Sequence, residues 1–307
     1  MQFYVNDITG SILEPMELFT SSNVNVSLAF YGGWNWFSLN VLADDMTVGS
    51  LLGAIPEPNS FEIIKSQISF TTYYPDWSAW YPDYFSLADP IWSQNDEIGI
   101  GYPGSFLQAD CDIPNNNFPY VLEYAGAPVD PSTPININNG ATWIAYYPVE
   151  TMNVDYALSS LSGVLSQGDN IKSQTATSTY YQEWDSWYPP FSMVPNEGYI
   201  LNSSEAGILI YPSEAPVSND ENMVLYRQEE VFVNGNDFDY RLYEFTGHIT
   251  SVVNIDNIHH TNEGDELLLY DMNNESRGRA KAMYCPMTDS YVFNLMMYSD
   301  YEDEEYS

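Results

Sequence analysis

Basic residues are nearly missing from this chain: 7 Lys+Arg stand against 43 Asp+Glu in 307 residues, a formal net charge of −36. A nucleic-acid binder must neutralise phosphates with clustered Lys and Arg. The one short basic run, Arg277-Gly278-Arg279-Ala280-Lys281, is flanked by carboxylates. Nucleic acid is therefore not expected as a partner, and anionic membranes are disfavoured on the same ground. No apolar run approaches the ~20 residues of a spanning helix, so membrane insertion is not expected either. Cysteine is limited to Cys111 and Cys285, too few for a disulfide framework and without metal-ligand spacing; whether the two pair stays open. Histidine is limited to His248, His259 and His260. No G-x-S-x-G elbow, HExxH pair or phosphate-binding loop occurs, and carboxylates are too frequent for any pair to be singled out as a glycosidase site. The expectation is a protein that is not an enzyme and needs no cofactor. The opening Met1-Gln2-Phe3-Tyr4-Val5 has neither the basic start nor the apolar stretch of a secretory signal, which fits a mature form or assembly without the secretory route, as for virion proteins.

Apolar and aromatic side chains, by contrast, are plentiful. Hydrophobic residues make up 44% and aromatics 16%, with 26 Tyr, 14 Phe and 8 Trp. That is enough to build cores despite the charge, which argues against disorder. Aromatic residues suit a pleated, half-buried surface, so the expected fold is mainly β. Carboxylates at this density keep a protein soluble at high salt, where their repulsion is screened. A saline exterior follows: extracellular or cell-surface, with a virion as the alternative.

The chain repeats itself. KSQISFTTYYPDWSAWYPDY from Lys65 and KSQTATSTYYQEWDSWYPPF from Lys172 align without a gap at an offset of 107, and half of the twenty columns are identical. Lys65, Gln67, Trp77 and Trp80 fall on Lys172, Gln174, Trp184 and Trp187, and Trp36 falls on Trp143. Each copy opens with a strand-like run (24–41 and 135–149). A helically spaced trio follows (Leu51, Leu52, Ile55; Leu158, Leu161, Leu165), then an alternating stretch that reads as a hairpin. An apolar run (120–124 and 207–211) closes each copy before a Pro-containing linker. The first copy carries extra residues at 92–117, rich in Asn, Gly and Asp, which read as a surface insertion. Strand patterns also occur at 231–233, 249–253, 267–270 and 291–298, with turn residues between them. The expected domains are 1–22 as an N-terminal strand, 23–130 and 131–216 as tandem β modules each with a short helix, and 217–307 as a β-sandwich-like unit.

With GGWNWFSLNV, IIKSQ, YYPDWSAWYP and NEGYIL laid out, the two repeats resemble an aromatic module of large surface and secreted proteins of marine bacteria and of large algal and protist viruses. The first copy lacks a clean GY-I step; the second departs at Gly140–Trp143 but keeps NEGYIL. The third unit is similar to a companion β-sandwich of those proteins through Gly264-Asp265-Glu266-Leu267, Arg277-Gly278-Arg279-Ala280 and Phe293 to Ser299. The resemblance implies structural or adhesive roles without catalytic residues. It also implies that the companion domain needs one more strand after its last, and that Phe3, Tyr4, Val5, Ile8 and Ile12 supply it. The acceptor edge would be Phe293, Leu295, Met297 and Tyr298, and the donor the same chain or a neighbour. The neighbour would give head-to-tail self-association.

Three further readings concern binding. Acidic loops at 110–112, 234–239 and 262–271 suit hard cations, with Asp265, Glu266 and Asp271 as possible structural calcium ligands against the simpler reading of solvated acidic loops. His259 and His260 read as a turn between strands rather than a metal site. Trp77, Trp80, Trp184 and Trp187 could form a stacking platform for a polysaccharide, but their recurrence favours packing. Lys65 and Lys172 are expected to pair with a carboxylate or cap carbonyls. The expected function is a structural subunit of an extracellular filament, appendage or virion surface assembled by strand complementation. The alternative is an adhesin or glycan-binding module using exposed Trp and Tyr.

Overall fold

The computed structural model describes residues 23–30, 33–52, 62–67, 70–81, 102–106, 120–215, 240–256, 258–285 and 288–299. The fold is mainly β, with short helices at Val48–Leu52 and Val154–Ala157. Among the described residues no helix is long and apolar enough to cross a membrane.

Two five-stranded antiparallel sheets share one strand order. The first runs Gly33–Phe37, Tyr102–Phe106, Glu62–Lys65, Phe70–Tyr74, Ala79–Tyr81 across its width; the second runs Gly140–Ala145, Gly198–Ser203, Asn170–Lys172, Thr177–Tyr181, Ser186–Tyr188. The last two strands of each sheet keep the offset of 107 seen in the sequence. A smaller ladder covers each: Val24–Phe30 on Tyr120–Pro128 in the first copy, Ile135–Ile137 on Gly207–Leu209 in the second. Period-two alternation sends Val26 and Phe30, or Ile135 and Ile137, inward. The helices start on caps that occupy orphan N–H groups: Thr47 Oγ1 accepts from Ser50 N, and Asn153 Oδ1 from Asp155 N. Their inner faces bury Val48 and Leu52, or Val154 and Ala157. Phe37, Ile64, Tyr73 and Trp80 fill the first core as Ile144, Ile171, Tyr180 and Trp187 fill the second.

The segment 92–117 differs from the expected insertion. Its residues Tyr102–Phe106 form a strand between Gly33–Phe37 and Glu62–Lys65, the place Gly198–Ser203 takes in the second copy. Pro and Gly inside this strand weaken its pattern, which hid it. The rest of that segment lies outside the described residues.

The third unit is a four-stranded antiparallel sheet ordered Phe245–Ser251, Ser290–Ser299, Ser276–Cys285, Glu266–Tyr270. The long strand Ser276–Cys285 pairs through its first half with Glu266–Tyr270 and through its second with Ser290–Tyr291-Val292-Phe293. Ala280, Phe293 and Leu295 form its small core. Of the expected acceptor residues, Phe293 is paired on both sides, with Ser251 and with Ala282, whereas Leu295, Met297 and Tyr298 are paired with Phe245–Ser251 along one side and lie beyond the end of the ladder with Ser276–Cys285 on the other. The expected assembly strand, Phe3 to Ile12, lies outside the described residues, as does the strand pattern at 231–233.

Candidate functional site

The glutamines of the two KSQ motifs join the copies. Gln174 Nε2 donates to Trp34 O at 2.6 Å and its Oε1 accepts from Trp36 N at 3.1 Å. Gln67 Nε2 donates to Ala141 O at 2.7 Å and its Oε1 accepts from Trp143 N at 3.0 Å. Ala141 and Trp143 stand 107 residues beyond Trp34 and Trp36, so the two pairs of bonds are the same pair exchanged. Residues two apart on a strand aim their N–H and C=O groups to one side. A carboxamide therefore imitates the peptide group of a missing neighbour strand. Gly33–Phe37 and Gly140–Ala145 are the outermost strands of their sheets, and each copy caps the other's edge. Around this exchange Ser38 bonds through N and Oγ to Asn196 O and Glu197 O, and Asn40 Nδ2 donates to Pro148 O.

Lys172 extends the junction to the third unit. Its Nζ donates to Thr246 O at 2.6 Å and lies 6.0 Å from the centre of the Trp36 ring. It caps a carbonyl, one of the two expected roles. Removal from water pulls its pKa down to about 8, and the pKa of His248 is lowered by burial first and by the Lys172 charge second. Tyr298 OH donates to Gln174 O, Asn294 Nδ2 to Thr177 O, and Tyr188 OH to Tyr284 O at 2.5 Å, so the third unit leans on the second module's hairpin. The side chain of Lys65 lies outside the described residues.

The four hairpin tryptophans split into two kinds. Trp80 and Trp187 are core residues, each 3% exposed. They sit against Tyr73 and Tyr180 with ring centres 5.4 and 5.5 Å apart. Trp77 and Trp184 are 64% and 43% exposed, so their packing is against the hairpin alone and not in the core. They stand at the hairpin tips, stacked on Tyr74 at 4.8 Å and on Tyr181 at 4.9 Å. Ser78 and Asp185, one residue past each Trp, share a left-handed backbone with φ of 49° and 48°, so the two turns have one shape. Recurrence alone does not separate tip from strand residues; the three-residue 3₁₀ turn Pro75–Trp77 rotates Trp77 out of the strand's two-residue alternation. Tyr180 OH donates to Asp185 Oδ1, and that bond first, then burial, raises the phenol to about 12.

The remaining expected residues are dispersed. Asp265 accepts from Asn262 N, Glu266 pairs with Arg279, and Asp271 takes Asn273 N, Glu275 N and the buried Arg277 guanidinium. Among the described residues no group of three or more His, Cys, Asp or Glu could hold a metal ion. His259 lies on the strand Ile258–His259, paired with Asn254, and not in the turn that joins this short ladder. Cys285 is a buried free thiol; Cys111 lies outside the described residues. No family model, curated protein or solved structure matches the chain.

Proposed function

We propose that the protein is a non-catalytic structural subunit of an extracellular or virion surface, whose three β units are clasped into one stiff body. The reciprocal exchange at Gln67 and Gln174 carries this reading. Tandem domains move against each other by default. Here each module supplies the group that completes its neighbour's sheet edge, and Lys172 ties the third unit to the same place. Such a joint suits load-bearing or spacing rather than opening and closing around a substrate. The charge of −36 favours association where salt screens it. Head-to-tail growth would use the opening residues Phe3 to Ile12. Negative-stain images and sedimentation of the full chain at seawater salt test the proposal. Ordered fibres or oligomers are expected, lost when residues 1–15 are deleted. A monomer at every salt and protein concentration overturns it.

A further inference from the structure

We propose that the two hairpin tips are binding sites for an uncharged polysaccharide. Each tip holds a tryptophan in water with a tyrosine ring packed against it. Trp77 is 64% exposed yet stacked face to face on Tyr74, with the exposed Tyr81 edge-on at 6.3 Å. Trp184 is 43% exposed and tilted 34° on Tyr181. The second ring of each pair fixes the first without covering its outer face. Folding does not require this, because the buried partners of the same hairpins, Trp80 and Trp187, already fill the cores.

The second tip also borders a cleft of about 480 Å³ lined by Gln167, Tyr181, Gln182, Glu183 and Trp184. That size falls in the range of small-ligand sites, roughly 300–1,000 Å³. Its lining joins a flat aromatic wall to amide and carboxylate groups. The C–H face of a pyranose ring matches the first, and its hydroxyls match the second. The charged residues within the two turns are Asp76 on one and Glu183 and Asp185 on the other, so sulfated or uronate chains are repelled and neutral ones are not. The tips also differ. Tyr81 adds an exposed ring to the first, whereas its counterpart Tyr188 is bonded to Tyr284 O of the third unit. With the modules joined through Gln67 and Gln174, a long chain touching both tips binds bivalently.

The test titrates the full chain with a soluble β-1,3-glucan, a β-1,4-mannan and an α-1,4-glucan, and with a sulfated galactan as the anionic comparison, by calorimetry and tryptophan emission. At least one neutral polymer binds and the sulfated one does not. Trp77→Ala and Trp184→Ala each lower polymer affinity by about ten-fold or more through lost bivalency. With short oligosaccharides each single variant removes one of the two sites and leaves the other's affinity unchanged. The double variant abolishes binding while its circular dichroism stays that of the parent. The inference falls if no neutral polymer binds, if the double variant binds like the parent, or if the sulfated galactan binds as well.

Discussion

Gln67 and Gln174 hold each other's modules by the same two bonds: each amide closes on the strand that carries the other copy's signature tryptophan. A carboxamide is the side chain suited to this, since it offers a donor and an acceptor side by side. Lysine offers only donors and glutamate only acceptors. A reciprocal contact of this kind follows the rule of two-fold interfaces, in which one patch meets its own copy. Here it is built within one chain from a repeated motif.

The two glutamines differ in exposure, and their substitutions should differ with it. Gln174 is half-buried and Gln67 is exposed. Gln174→Ala leaves Trp36 N and Trp34 O without their partner in a partly dry place, at a cost of about 1–3 kcal/mol. Gln67→Ala, whose strand groups can turn to water, costs under about 1 kcal/mol. Gln174→Glu keeps an acceptor for Trp36 N but sets an oxygen against Trp34 O, so it is at least as harmful as alanine at pH 7. Urea unfolding of the three variants measures this. Equal small losses would show that the junction contributes nothing.

The hairpin tryptophans supply a matched comparison. Trp80→Ala or Trp187→Ala empties a core position, at about 3–5 kcal/mol. Trp77→Ala or Trp184→Ala removes an exposed ring and should stay within about 1 kcal/mol, near the range of surface substitutions. Emission spectra of the four single variants add a second check. Loss of Trp80 or Trp187 lowers the blue-shifted part of the emission, and loss of Trp77 or Trp184 the red-shifted part.

The repeat, the mainly β fold and the short helix of each copy were legible because they rest on local pattern: an offset of 107, alternation along strands, apolar residues at helical spacing. Three features were not. The strand Tyr102–Phe106 contains Pro103 and Gly104, and only its long-range partners make it a strand. The split between Trp77 and Trp80 depends on a turn that breaks the two-residue period. The partners of Gln67 and Gln174 are backbone groups 74 to 140 residues away, and backbone groups leave no mark in a sequence. The glutamines themselves were visible as repeated residues; what they touch was not.

Gly278 is a position where the sheet leaves no room for a side chain. A Cβ there would come within 2.3 Å of Met296 O, a backbone atom that cannot swing aside. Gly278→Ala must push apart the first half of Ser276–Cys285 and the strand Ser290–Ser299, costing about 1–3 kcal/mol. Gly247→Ala meets only the end of the Met297 side chain, 2.8 Å away, and should cost clearly less because a methionine tip can rotate. Thermal unfolding of the two variants side by side decides it. If Gly247→Ala is the worse, the close backbone approach at Gly278 is wrong.

Lys172 makes stability rise with pH over a narrow window. Burial holds its folded pKa at about 8, while the unfolded chain keeps the proton up to about 10.4. Between those values the unfolded state binds more protons than the folded state, so stability increases with pH there. Below pH 8 both states are protonated and the cost of burying the ammonium is present in full. At about 1.4 kcal/mol per pKa unit the gain is at most about 3 kcal/mol, reduced by what the Thr246 carbonyl returns to the charged form. The buried tyrosines act in the opposite sense above this window. Burial raises the phenols of Tyr124, Tyr146, Tyr199, Tyr211 and Tyr298, so their contribution is complete below about pH 10 and is lost as the unfolded phenols ionise. Stability measured by urea at fixed salt should climb from about pH 8 toward 10 and then fall. Lys172→Met removes the climb and leaves the fall. The same substitution takes away a positive charge that lowers the pKa of His248, so the His248 titration followed by NMR moves upward. A Lys172→Met profile parallel to the parent between pH 8 and 10, with His248 unmoved, would mean that the ammonium is not buried at the junction.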